Sequence, residues 1–229
     1  MESIDMAENI VELLTDVADA IREKKGSTEP IKAQSFADEI RNLPSGGDID
    51  ALVTKTITEY ENDVIESVGK YVFYECTEMT RVNAPNVKTI HNLAFAYCTA
   101  LSSIDFHYVE TIALQAFYDC SSLASVNTPN LSYLNDQVFR SCKALKRLEL
   151  NNCTNIGSMC FFMSGLTALI LGAPNVCTLA NTNAFQNTPI AKGTGYIYVP
   201  DDLVDAYKGA TNWSTFADQI KGLSELPNE

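Results

Sequence analysis

The sequence is short of cations. It has 16 Lys and Arg against 29 Asp and Glu, a formal net charge of −13 over 229 residues. Neutralising a phosphate backbone requires clustered Lys and Arg, so the balance argues against nucleic acid as the main partner. It argues equally against attraction to an anionic membrane surface. No apolar run approaches the ~20 residues of a membrane span, so insertion into a membrane is not expected. Histidine is nearly absent, with only His91 and His107. The glycines are scattered and form no phosphate-cradling cluster. No two of the seven cysteines show the short spacing of a zinc site. Neither a cofactor nor a metal is therefore expected, and no catalytic residue is assigned. An enzyme would have to work through His107, two residues after Asp105; at the end of a strand the two would point to one sheet face. A solvated polar face is the plainer reading of that pair.

What the chain does have is repetition. Phe73, Phe95, Phe117, Phe139 and Phe161 recur every 22 residues, as do Cys76, Cys98, Cys120 and Cys142. Met79, Leu101, Leu123 and Leu145 make a third column, and Val82, Ile104, Val126 and Leu148 a fourth. Val68, Ile90, Ile112, Leu134 and Ile156 make a fifth, and Ile65, Val87, Val109, Leu131 and Cys153 a sixth. After Phe161 the register slips by one, and Phe185 opens a degenerate last unit in which truncation should cost less than in a central one. Such short units cannot bury their apolar faces alone, and stacking merges the faces into one core. The alternating stretch around Leu148 and Leu150 predicts one short strand per coil in a parallel β-sheet. The Phe-x-x-Cys-x-x-Leu stretch, with period three, predicts a helical or 3₁₀ turn. The fold class is thus an α/β solenoid of the leucine-rich-repeat kind.

The block Ile90-His-Asn-Leu-Ala-Phe95-Ala-Tyr-Cys98-Thr-Ala-Leu101-Ser-Ser-Ile104 resembles the BspA-type leucine-rich repeat, and so does Ile112 through Val126. Ala94-Phe95 and Ala116-Phe117 match that family's A-F pair, while Val72-Phe73 and Val138-Phe139 depart from it conservatively. The resemblance covers about residues 52–190. It implies a surface-recognition scaffold of bacteria and their phages with no shared catalytic site.

Three segments follow: 1–47, a helical N-terminal segment and linker; 48–195, the solenoid; and 196–229, a C-terminal cap. Ile10, Leu14, Val17 and Ile21 lie at helical spacing, with Gly26 as a stop and Pro44-Ser-Gly-Gly47 as a break. Residues 6–43 are either a cap over the first coil or a surface for homo-oligomerisation. Ala20-Ile-Arg-Glu-Lys-Lys-Gly26 and Ser35-Phe-Ala-Asp-Glu-Ile40 resemble the leader of prophage tail-associated proteins from gut Gram-positive bacteria. The acidic start at Met1 shows no signal peptide. The expected location is therefore a phage particle or the cytoplasm, or the cell surface if a leader precedes it. At the other end, Tyr196-Ile-Tyr-Val-Pro200 predicts a strand and turn, and Asp201–Tyr207 and Asn212–Ile220 predict short helices.

The cysteines fall in buried columns, so six of them are expected to be reduced core residues. Cys177 shares its column with Lys88, Glu110 and Ser132 and is expected to be the one exposed, reactive thiol. The candidate binding residues stand between the buried columns of the strand stretch. They are Arg81 and Asn83, Ser103 and Asp105, Ser125 and Asn127, and Arg147 and Glu149, followed by Ala168 and Ile170. Asn83, Asp105, Asn127 and Glu149 form one outward column, flanked by Arg81 and Arg147. Such a ladder suits a protein or glycan ligand, met as an extended peptide or a sugar chain. Tyr74, Tyr97 and Tyr118 make a second candidate strip on the loop edge.

Overall fold

The computed structural model describes residues 55–227, so the helix pair of residues 1–47 and the surface read into residues 6–43 lie outside the described residues. Short strands follow one another around the coils. They are β1 (Glu59–Glu61), β2 (Ser67–Val68), β3 (Arg81–Asn83), β4 (Thr89–Ile90), β5 (Ser103–Asp105), β6 (Thr111–Ile112) and β7 (Ser125–Asn127). They continue as β8 (Tyr133–Leu134), β9 (Arg147–Leu150), β10 (Asn155–Ile156), β11 (Ala168–Leu171), β12 (Thr178–Leu179), β13 (Tyr196–Val199) and β14 (Ile220–Gly222). Every pairing is parallel.

Each full coil therefore carries two strands where the sequence pattern predicted one. The alternating stretches form a four-stranded sheet, β1-β3-β5-β7, and a second one, β9-β11-β13-β14. The dipeptide strands around Val68, Ile90, Ile112, Leu134, Ile156 and Leu179 form a separate six-stranded sheet. A two-residue strand has no alternation to read, because only one of its side chains turns inward. Glu59 and Glu61, which look like loop charge in the sequence, lie on β1. Tyr60 of that strand opposes Val82.

The Phe-x-x-Cys-x-x-Leu stretch is not helical. It is a chain of tight turns with two left-handed residues per coil, Leu93 (φ 57°) and Tyr97 (φ 63°) in one coil and Gln115 (φ 57°) and Asp119 (φ 56°) in the next. For a residue with a Cβ this conformation costs about 1–2 kcal/mol. The gain is a third inter-coil ladder. The N–H of Phe95 donates to Ala116 O at 2.8 Å and that of Tyr97 to Tyr118 O at 2.7 Å, while Ala96 and Cys98 close turns onto Leu93 and Phe95. A helix would have directed all these groups along its own axis and left the coils unjoined on this side.

The core runs the length of the stack. Phe73, Phe95, Phe117, Phe139, Phe161 and Phe185 are fully buried, with successive centroids 5.1–6.1 Å apart and planes within 20° of parallel. The cysteine column adds bonds to it. The Sγ of Cys98 donates to Phe73 O at 3.0 Å, that of Cys120 to Phe95 O at 3.0 Å, and that of Cys142 to Phe117 O at 3.2 Å. At one corner, asparagine amides reach back one coil: Asn86 to Asp63 O, Asn130 to His107 O and Asn152 to Pro129 O, at 2.6–2.8 Å.

The C-terminal segment closes the stack and also extends it. β13 joins β11 in register, Ala168 opposite Tyr196, and β14 joins β13. Pro200 ends the strand; Asp201–Leu203 is a 3₁₀ turn leading into α1 (Val204–Gly209). A 3₁₀ segment, Trp213–Gln219, follows. The exposed carbonyls of the last coil find side-chain donors here. Trp213 Nε1 donates to Cys177 O at 2.6 Å, and Asn212 Nδ2 to Leu179 O at 2.7 Å. Phe185 is thus not an end position: Phe161 stacks on one side of it, with Trp213 at 6.0 Å and Phe216 at 5.1 Å on the other. Phe117→Ala and Phe185→Ala are accordingly expected to cost about 3–5 kcal/mol each. The two variants should show similar losses of denaturant midpoint in urea titrations; a much smaller loss for Phe185→Ala would restore it to the rank of an end residue.

Candidate functional site

The polar candidates are set by the pleat of the alternating strands. In β3 and β5 the middle residue is buried and the outer two are exposed. Arg81 and Asn83 stand on β3, Ser103 and Asp105 on β5, and Ser125 and Asn127 on β7, with Arg81 opposite Ser103 and Asp105 opposite Asn127. Asn127 Nδ2 donates to Asp105 Oδ1 at 2.8 Å, a bond between exposed side chains on adjacent coils. Arg147 and Glu149 stand on β9, which belongs to the other alternating sheet. The column drawn from the sequence as one ladder is therefore divided between β7 and β9.

Two ion pairs lie on this face. Arg81 Nη1 lies 3.3 Å from Glu61 Oε1 on the neighbouring strand β1. The sequence signal for that strand is that Tyr60 precedes Val82 by one period of 22. Arg147 Nη2 lies 3.8 Å from Glu149 Oε2, and Asn151 Nδ2 donates to Glu149 Oε1 at 2.8 Å. All these pairs are open to solvent, so each contributes at most about 1 kcal/mol to stability. They orient the side chains more than they hold the fold. Beyond β9 the face changes character. Ile170, an outward position by register, is only 3% exposed and lies opposite Tyr198, itself 4% exposed. Lys221 Nζ sits 4.3 Å over the Tyr196 ring. The cap strands thus add a tyrosine-rich end to the face, which the columns of the earlier repeats do not contain.

The tyrosine strip is a connected structure. Tyr74 meets Tyr97 edge-on at 5.5 Å, and Tyr97 meets Tyr118 at 5.1 Å. The Arg140 guanidinium lies 5.2 Å from the Tyr118 ring and 4.9 Å from that of Phe162. Burial of the ring, and then the neighbouring Tyr118, push the Tyr97 hydroxyl up to about 12, so it remains a donor at neutral pH.

His107 lies two residues after Asp105, just beyond the end of β5. Its ring is exposed and meets Tyr108 edge-on at 5.0 Å, and the Asp105 carboxylate is occupied by Asn127. Among the described residues, no group of three or more His, Cys, Asp or Glu is placed to hold a metal ion. A recess of about 390 Å³ lies between Cys177–Ala180 and Ala210–Trp213. Several of its polar groups are already bonded to each other, through Trp213 to Cys177 O and Asn212 to Leu179 O. No helix among the described residues is long and apolar enough to cross a membrane.

Cys177 departs from the sequence expectation. It is 1% exposed, because the cap folds over its column: Tyr207 Oη accepts its N–H at 2.9 Å and Trp213 caps its carbonyl. A column occupied by Lys88, Glu110 and Ser132 elsewhere is exposed only where nothing packs over it. All seven cysteines are free and buried. Burial pushes the Cys76 thiol up to about 12 and holds those of Cys98 and Cys120 well above the ordinary value. Freshly reduced native protein is therefore expected to give no fast reaction with a water-soluble thiol reagent. Once unfolded, all seven thiols should be titrated; a rapid native equivalent at Cys177 would show that the cap does not cover it.

Parallel coils with two short strands each, a stacked phenylalanine column and a polar outer sheet face define a leucine-rich-repeat solenoid. The repeats of the BspA-type leucine-rich repeat region match residues 65–192 in six copies, and the chain belongs to that family. No curated protein matches the chain. Among solved structures, a leucine-rich cell surface protein from Faecalibacterium prausnitzii is 20% identical with a TM-score of 0.47, over 62% of this chain and 49% of that one. The leucine-rich repeat protein of T. pallidum is 24% identical with a TM-score of 0.47, over 74% and 82%. A leucine-rich repeat protein from Bacteroides ovatus is 18% identical with a TM-score of 0.40, over 64% and 50%. The match thus spans about half the length of the Faecalibacterium and Bacteroides proteins. Likeness at this level carries no argument about partners, because one solenoid fold hosts many of them.

Proposed function

We propose that the chain is a recognition module whose exposed sheet face holds an extended peptide or a glycan, and that it serves as a tail-associated protein of a prophage. The observation that carries the first part is the row of outward polar side chains on β3, β5 and β7, of which those on β5 and β7 are joined by the Asn127–Asp105 bond. A periodic ligand laid across the coils meets a donor or acceptor at each step. The face is wet and polar, so affinity comes from a few positions. The second part is supported by the likeness of Ala20–Gly26 and Ser35–Ile40 to the leaders of such tail proteins.

Asp105→Ala combined with Asn127→Ala is expected to abolish binding on an array of bacterial and host surface glycans and extended peptides. Stability should move by no more than about 0.5 kcal/mol per exposed substitution. Unchanged array binding by the double variant would make the sheet face a solvated surface and turn attention to Tyr97 and Tyr118. Location is tested separately. Mass spectrometry of phage particles purified after induction of the host should detect the chain. Recovery on the cell envelope alone would favour a surface adhesin.

A further inference from the structure

The turn edge of the stack holds a cation without a counter-charge. The Arg140 guanidinium lies between two rings, 5.2 Å from that of Tyr118 on the coil before and 4.9 Å from that of Phe162 on the coil after. Its Nη1 donates to Gln137 Oε1 at 2.7 Å. Its Nε is buried with no acceptor, and its Nη2 donates to no described group. Lys55, Arg81, Lys88, Arg147 and Lys221 each have a carboxylate partner, whereas Arg140 has none among the described residues. A guanidinium held flat between rings and short of acceptors presents a planar donor edge, which suits a carboxylate.

The charge around Arg140 is the reverse of that of the chain. Residues 137–148 carry Arg140, Lys143, Lys146 and Arg147, four of the 16 Lys and Arg, and no acid. In the flanking coils, residues 117–126 hold Asp119 as their sole acid and residues 161–170 hold none. Lys143 and Lys146 are exposed, and small neutral residues neighbour them: the Ala144 N–H donates to Ser121 O and the Thr167 N–H to Lys146 O. On the other side of Arg140 the partly buried rings of Tyr118, Tyr97 and Tyr74 continue the strip in steps of 5.1 and 5.5 Å, close to the length of one sugar residue.

We propose that this turn edge binds an acidic glycan, a sugar chain carrying carboxylates, with its rings against Tyr97 and Tyr118 and one carboxylate on Arg140 Nη2. Lys143 and Lys146 add positive field beside that anchor. The positive patch is confined to one coil of a chain with net charge −13. It therefore matches a polymer with separated charges and disfavours a nucleic acid, which carries a phosphate at every step. These residues belong to the turn segment and not to the alternating strands, so the proposal stands apart from the sheet-face reading.

The full chain is titrated calorimetrically with hexagalacturonic acid and with its methyl ester, which keeps the sugar rings and loses the charge. The acid is expected to bind, and the ester to bind at least about tenfold more weakly. Arg140→Gln and Tyr118→Ala should each weaken binding of the acid by about tenfold or more. Arg140 also packs between rings, so urea midpoints accompany these variants. Lys143→Gln, at an exposed position, should weaken binding about threefold and leave the midpoint in place. Asp105→Ala with Asn127→Ala should bind the acid as the wild type does, which separates this edge from the sheet face. No binding of the acid, equal binding of acid and ester, or full affinity in both Arg140→Gln and Lys143→Gln would overturn the proposal. A single-stranded oligothymidylate that binds more tightly than the acid, with the same dependence on Arg140, would overturn it too and make the edge a nucleic-acid site.

Discussion

Six phenylalanines, one per coil, lie nearly parallel along the axis at 5.1–6.1 Å, and each is buried only because the next coil is there. A stacked aromatic pair contributes about 0.5–1.5 kcal/mol beyond the area that it removes from water. The larger consequence is architectural. No coil can keep its ring dry alone, so stability is a property of neighbours and both ends must be closed. Tyr60 meets Phe73 edge-on at 4.8 Å at the N-terminal end of the described stack. Trp213 and Phe216 close the other end on Phe185.

The backbone accepts strain to keep those rings in line. Two left-handed residues in each full coil, such as Gln115 and Asp119, turn the chain tightly enough to present N–H and C=O groups to the coils on either side. A buried backbone group left without a partner costs about 1–3 kcal/mol, which is comparable with the strain itself. The thiol column works in the same direction. A cysteine at position 98, 120 or 142 fills the small space under the turn and also bonds the phenylalanine carbonyl of the coil before it. Alanine would fill less of that space and donate nothing.

This division of labour leaves the outer sheet face free of structural duty. The inward residues of β3, β5 and β9 hold the stack, while Asn83, Asp105 and Glu149 on the same strands are exposed. A solenoid can therefore change its partner by changing outward residues without disturbing its core. The same separation explains why family membership is legible in the repeat: the columns that define the family are the ones buried in the core.

The period of 22 by itself determined the solenoid, the phenylalanine column, the buried cysteine column and the outward placement of Asp105 and Asn127. Each of these follows from one repeated local rule: alternation decides which side of a strand faces the core. What depended on neighbours outside the repeat was decided by tertiary structure. The dipeptide strands around Ile90 and Ile112 are too short to alternate, and only stacking reveals them. The turn segment looks helical by its spacing of three, but inter-coil hydrogen bonds select left-handed residues there. Glu61 became the partner of Arg81 only once β1 was laid against β3. Cys177, placed among exposed residues by its column, is buried because a segment some 30 residues later, carrying Tyr207 and Trp213, packs over it. A column records what a position does in an average coil. It cannot record what folds back over the last one, because that contact is made once and repeats nowhere in the sequence.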